Sequence, residues 1–268
     1  MTASNPATLQ PIPAKTVFRW TDWVPQPVRW GFTDIAAGLG LFVASIVLAV
    51  VILFVGIPVE PDSFSFALSI TGYAILIGAV VVASYRRGQR SLANDFGLAF
   101  RPIDLAIGVG VGVLAKIVSV VIGLIVLAVT GESPESGNLV LSESTLWIVL
   151  SGVLVASLLA PFAEELFFRG LVLRTIRNTA LRGGDRMSQP KAQRTAVVAA
   201  ILLNSVLFMA LHLWQSNDIL LLVVLGLSTL VFGILNSVVA IWMGRIAAPI
   251  IAHIVFNGSA VLALLAIG

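Results

Sequence analysis

The sequence predicts an all-α, polytopic transmembrane helix bundle of about seven spans, with its N-terminus in the cytoplasm. Three observations predict it. The chain is 58% hydrophobic and only 11% charged, whereas a soluble domain carries about 25% charged residues. Its apolar residues fall into seven continuous runs, each near the ~20 residues a helix needs to cross a bilayer; barrel strands would be about half as long and would alternate. Fourteen of the sixteen Lys and Arg residues lie in loops that alternate along the chain, and that asymmetry sets orientation.

The elements follow in order. Residues 1–31 hold five of the twelve prolines (Pro6, Pro11, Pro13, Pro25 and Pro27) and no apolar run. They read as a cytoplasmic disordered tail rather than a signal peptide, with Trp20, Trp23 and Trp30 forming an interfacial anchor. The transmembrane domain covers 32–267, with spans near 32–57, 64–85, 104–129, 146–168, 195–213, 218–242 and 246–267. The tail carries Lys15, Arg19 and Arg29, and the loop after the second span carries Arg86, Arg87, Arg90 and Arg101. A long basic loop at about 178–195 belongs to the connection that holds Arg174, Arg177, Arg182, Arg186, Lys191 and Arg194; Arg245 follows the sixth span. The intervening loops hold only acids: Glu60, Asp62, Glu132, Glu135, Glu143 and Asp218. Seven spans then leave the C-terminus outside. The basic pI of 9.8 is a consequence of this topology and calls for no nucleic acid. The absence of cysteine excludes disulfides, thiolate nucleophiles and cysteine-ligated metals.

Several polar residues sit where an inert span would have none. The fourth span ends Leu159-Ala160-Pro161-Phe162-Ala163-Glu164-Glu165-Leu166-Phe167-Phe168-Arg169, and one charge at the centre of a membrane helix costs roughly 2.5–3.5 kcal/mol on insertion scales. Glu165 and Arg169 are four apart and share a face, so they can pair; Glu164 points about 100° away and stays free. Pro161 removes a backbone donor and can kink the helix one turn earlier. The two histidines of the chain, His212 and His253, both fall in apolar segments. Phe208 shares a face with His212, and His253 shares one with Asn257. Lys116 lies about 18 Å into the third span at helical rise, too deep for easy snorkelling, and is expected to face protein or a water-filled cavity. Gly108 and Gly112 form a small-x-x-x-small ridge on that helix, which favours close packing.

Taken together, Glu164-Glu165-x-x-x-Arg169, Phe208-x-x-x-His212 and His253-x-x-x-Asn257, in that order, resemble the signature of the CAAX-processing and bacteriocin-processing intramembrane proteases. The resemblance covers a protease-like core at 146–267. It implies an intramembrane endopeptidase of the cell membrane that hydrolyses a peptide bond of a membrane-anchored substrate, of the prenylated CAAX type or bacteriocin-like. It further implies that Glu164 and His212 activate water, that His253 and Asn257 stabilise the oxyanion, and that Glu165 and Arg169 order the helix. The chemistry is coherent: amide hydrolysis needs an activated water and donors aimed at the developing oxyanion.

A metal is a separate question. Glu164, His212 and His253 also form a two-histidine, one-carboxylate set of the kind that holds zinc, although no His-Glu-x-x-His helix is present. Both mechanisms stay open, and the metal-free one is favoured.

Two other functions use similar residues. A non-catalytic immunity or scaffold protein would keep the fold without needing both histidines. An ion-coupled transporter would show two similar halves, and the polar intramembrane residues lie almost wholly in the second half. Depth counting opposes a shared site: it puts His212 about 25 Å above Arg194, toward the outer side, while Glu164 and His253 lie toward the cytoplasmic half.

Overall fold

A computed structural model describes residues 28–132, 144–183, 189–213 and 216–267. Every regular element among them is helical: α1 (Phe32–Phe54), α2 (Pro61–Arg87), the short α3 (Leu92–Phe96), α4 (Ile103–Thr130), α5 (Thr145–Arg182), α6 (Gln189–Ala210), α7 (Ile219–Met243) and α8 (Ala247–Ile267). The protein is an all-α polytopic membrane bundle. Six helices, α1, α2 and α4 to α7, are long and apolar enough to cross a membrane. In α8, the seventh expected segment, the qualifying apolar stretch is the shorter Ala247–Ala263. Leucines and valines such as Leu41, Leu48, Val120 and Leu124 stay exposed on the outer faces, as lipid-facing positions do.

The helix ends are set by local chemistry. The Glu60 carboxylate caps α2, accepting from the amides of Asp62 and Ser63 at 3.1 and 2.7 Å, with Pro61 at the position where a missing N–H costs nothing. Asp218 caps α7 through the Leu221 amide at 2.6 Å. The α7–α8 turn is made by Gly244, whose φ of 68° lies in the left-handed region that favours glycine.

Two boundaries differ from the sequence reading. The fourth span was expected to stop near 168, yet α5 runs on to Arg182. Leu171, Val172, Leu173 and Ile176 are all buried, so the helix continues because its next turns also have a core to fill. Helix α6 starts at Gln189 instead of 195. The long basic loop expected at 178–195 is therefore helical at both ends, and only 184–188 falls outside the described residues. The tail expected at 1–31 also falls largely outside them. Its last part is packed into the protein: Trp30 is 3% exposed, stacks 5.1 Å from Phe96 and donates to Asp95 at 3.4 Å.

One end of the bundle is tied by polar contacts. The buried Asp95 accepts from the Ser84 hydroxyl at 2.6 Å and from the Gln89 amide. Asp104 at the start of α4 pairs with Arg245 at 2.6 Å, Arg174 donates to the Gly244 carbonyl at 3.0 Å, and Arg87 pairs with Asp34 at 3.3 Å. The loops expected to share the basic side of the membrane thus meet at one end.

The ridge of small residues on α4 packs on α8 as expected. A Cβ at Gly112 would stand 2.6 Å from the Ala252 carbonyl oxygen, and one at Gly108 would stand 2.7 Å from that of Ala248. Both neighbours are backbone and cannot swing aside. Gly112→Leu is therefore expected to lower stability in detergent by about 1–3 kcal/mol or more, the cost of overpacking a close-packed site. Gly110→Leu, on the open face with nothing within 4 Å, should melt like the parent. Equal melting of the two variants would show that α4 and α8 do not meet this closely.

Candidate active site

The site is built on the middle of α5. Between Ile148 and Val172 the helix is wound wider than an α-helix on both sides of one α-helical segment, Ala160–Glu165. Pro161, which cannot donate to the preceding turn, stands in that segment. Wide turns of this kind recur at functional sites because they re-aim side chains. Glu164 and Glu165 both lie in the α-helical segment, where successive residues point about 100° apart, and they have different surroundings.

Glu165 is fully buried and belongs to a closed polar knot. Its Oε1 accepts from the Arg169 guanidinium at 3.0 Å, the Asn236 amide at 3.1 Å and the His253 Nδ1–H at 2.9 Å. Arg169, also fully buried, lies with its guanidinium carbon 4.3 Å from the Phe208 ring centre and 5.9 Å from that of Phe232. The expected i,i+4 pair is thus present. It is also larger than expected, since it recruits α7 through Asn236 and α8 through His253.

Glu164 faces the other way. Its Oε2 lies 3.7 Å from His212 Nε2 and 4.0 Å from His253 Nε2 and makes no hydrogen bond of its own. Tyr73 of α2 stands beside it, its hydroxyl interacting with the Glu164 carboxylate. Leu39, Phe42, Tyr73, Leu76 and His212 line the cavity into which Glu164 points. The ring of His212 stacks 4.4 Å from that of Phe208, one helical turn earlier.

The protonation pattern of the histidines follows from their partners. His212 Nδ1 is 2.7 Å from the Phe208 carbonyl oxygen, which can only accept, so Nδ1 carries the proton. His253 Nδ1 faces the Glu165 carboxylate and carries its proton for the same reason. In the neutral rings both Nε2 atoms therefore carry lone pairs, and they lie 3.7 and 4.0 Å from Glu164 Oε2.

The structure brings Glu164, His212 and His253 together. They converge despite the depth count; α6 starts six residues earlier than expected, and His212 stands in the turn beyond its end at Ala210. Asn257 lies one turn beyond His253 and donates to the Ala156 carbonyl at 2.9 Å, which docks α8 on α5. Lys116 holds its ammonium 4.5 Å above the ring of Phe256, facing protein as expected of so deep a cation. Sequence reasoning missed Tyr73 and Asn236. Tyr73 carried a faint signal as one of only two tyrosines in the chain, set in an apolar span.

The donors are of the right kind for a divalent metal. Metal-bound histidines usually donate their other ring N–H to a carbonyl or carboxylate, and both do so here. Among the described residues, however, no group of three or more His, Cys, Asp or Glu side chains is arranged to hold a metal ion.

Residues 145–259 match the family model described as Type II CAAX prenyl endopeptidase Rce1-like. Over that segment the chain is homologous to this CAAX protease family. The segment is less than half of the 268 residues, and it contains all seven motif residues from Glu164 to Asn257. Tyr73 and Lys116 lie outside it. No curated protein and no solved structure matches the chain.

Proposed function

We propose that the protein is an intramembrane endopeptidase that hydrolyses a peptide bond of a membrane-anchored substrate, with Glu164 as the general base. One observation carries the reading: a carboxylate oxygen without a hydrogen bond, in a recessed cavity, lies 3.7 and 4.0 Å from the Nε2 atoms of two imidazoles whose other nitrogens are pinned. A water seated among these three groups gives its proton to Glu164 while His212 Nε2 orients it. Its oxygen attacks the scissile carbonyl. His253 donates to the oxyanion when its ring carries a second proton taken up from solvent, and Asn257 has a second amide N–H beyond the one bound to Ala156. Glu165 and Arg169 hold His253 and the α5 turn in place.

The substrate is a peptide whose lipid or apolar anchor lies in the bilayer, of the prenylated CAAX type or bacteriocin-like. The apolar wall of Leu39, Phe42 and Leu76 beside Glu164 suits such a segment. The test is to reconstitute the protein in vesicles with a farnesylated CAAX peptide and with a hydrophobic leader peptide. Fragments mapped by mass spectrometry are expected at one bond of one of them. No cleavage of either, in protein that retains its fold, would contradict the proposal.

A second reading has an observation in its favour. Glu164, His212 and His253 would together hold a divalent metal such as zinc, which when bound activates water and polarises the scissile carbonyl. We favour the metal-free reaction because a carboxylate and two imidazoles suffice to activate and orient a water and no His-Glu-x-x-His helix is present. Cleavage should therefore survive 1,10-phenanthroline. Loss of cleavage that zinc restores would establish the metal reading.

For topology we propose seven spans in the cell membrane, with a cytoplasmic N-terminus and α8 as the last span. The alternating loop cations support it. A reporter fused after Gly268 should read as external, and a cytoplasmic signal would refute the span count or the orientation.

A further inference from the structure

Hydrolysis turns the scissile carbonyl oxygen into an anion, and the largest catalytic term commonly comes from donors already aimed at it. This cavity is short of donors. The Glu164 carboxylate only accepts. The one N–H of neutral His212 is given to the Phe208 carbonyl at 2.7 Å, and that of His253 to Glu165 at 2.9 Å, so neither imidazole offers a donor before it gains a proton. The Asn257 amide gives one N–H to Ala156, 2.9 Å away, and its side chain is not among those that line the cavity with Glu164. Tyr73 is different. Its side chain lines the cavity together with Glu164 and His212, its phenol is a donor, and it lies close enough to interact with the Glu164 carboxylate. The residue before it also fixes its place: a Cβ at Gly72 would stand 2.8 Å from the ring of Phe42, so the glycine lets α1 close against α2 at this level.

We propose that Tyr73 is a catalytic residue of this site, its phenol O–H donating a hydrogen bond to the oxyanion as water attacks. The proposal rests on the endopeptidase reading and deepens it. When the carbonyl is attacked, the hydroxyl donates to the developing negative charge. The new bond joins the water oxygen to the carbonyl carbon, the carbonyl pair moves onto oxygen, and the water proton goes to Glu164. The C–N bond then breaks, the pair reforms the carbonyl, and the amine leaves with the proton from Glu164. Tyr73 keeps its own proton throughout. Amide and water become acid and amine. Tyr73 lies on α2, outside the segment 145–259 that matches the family model, so that match assigns it no role.

The experiment compares wild type, Tyr73→Phe and Glu164→Gln in vesicles. It measures kcat and KM on the cleaved peptide, melting temperature, and binding of a peptidyl phosphonate whose tetrahedral anion imitates the oxyanion. Tyr73→Phe is expected to lower kcat by about 10²–10³-fold, the usual loss of one such donor, with KM and melting unchanged. Phosphonate binding should weaken in parallel. Wild-type kcat in Tyr73→Phe would overturn the role of Tyr73 while leaving the endopeptidase reading intact. A lower melting temperature with KM and kcat both impaired would make Tyr73 structural and equally overturn it. If wild type neither cleaves nor binds the phosphonate, both readings fall.

Discussion

Arg169→Met is expected to be the most destabilising single change in the protein, costing about 3–5 kcal/mol, the usual result of removing one partner of a buried ion pair. Arg169 and Glu165 are both fully buried and 3.0 Å apart. Without the guanidinium, the Glu165 carboxylate keeps only Asn236 and His253 at Oε1, and its Oε2 already has no partner. The packing of the guanidinium over the Phe208 ring at 4.3 Å is lost as well. Melting in detergent checks this. The double variant Glu165→Gln/Arg169→Met, which removes the stranded charge, should regain part of the loss. An unchanged melting temperature in Arg169→Met would show that the pair does not hold α5, α6, α7 and α8 together.

Glu164→Gln should do the opposite, leaving stability intact and lowering the cleavage rate by about 10²–10⁴-fold, the range lost with a general base. The side chain is 13% exposed to the cavity and its Oε2 makes no hydrogen bond, so an amide of the same shape costs the fold little. Glu165→Gln, by contrast, should lose stability or yield before it loses chemistry, because its carboxylate collects three donors. Full cleavage by Glu164→Gln would remove it as the base, and a stable but inactive Glu165→Gln would exchange the two roles.

The contrast between these neighbours was legible in the sequence, because helical spacing alone puts Glu165 beside Arg169 and Glu164 elsewhere. The seven apolar segments were also legible, since lipid leaves a continuous hydrophobic run few alternatives to a helix. What could not be read is how far α5 continues beyond its apolar run. Leu171 to Ile176 look like loop sequence beside so many arginines, yet they are buried against the rest of the bundle. Depth counting also missed the convergence of His212 on Glu164; it counted from Arg194, and α6 starts at Gln189. Tyr73 and Asn236 were missed for another reason. Each comes from a helix far along the chain from α5, and only tertiary packing brings a tyrosine of α2 and an asparagine of α7 to two adjacent glutamates.

Glu164 and His212, 3.7 Å apart, are proposed to act as one unit on a single water. The direct measurement is the cleavage rate of the double variant Glu164→Gln/His212→Gln against the two single variants in the same vesicles. Groups that act as a unit lose their contribution once, and the second removal adds little. The double variant is therefore predicted to be no slower than the slower single variant. Losses that multiply, or a single variant that keeps the full rate, would contradict a shared water at this site.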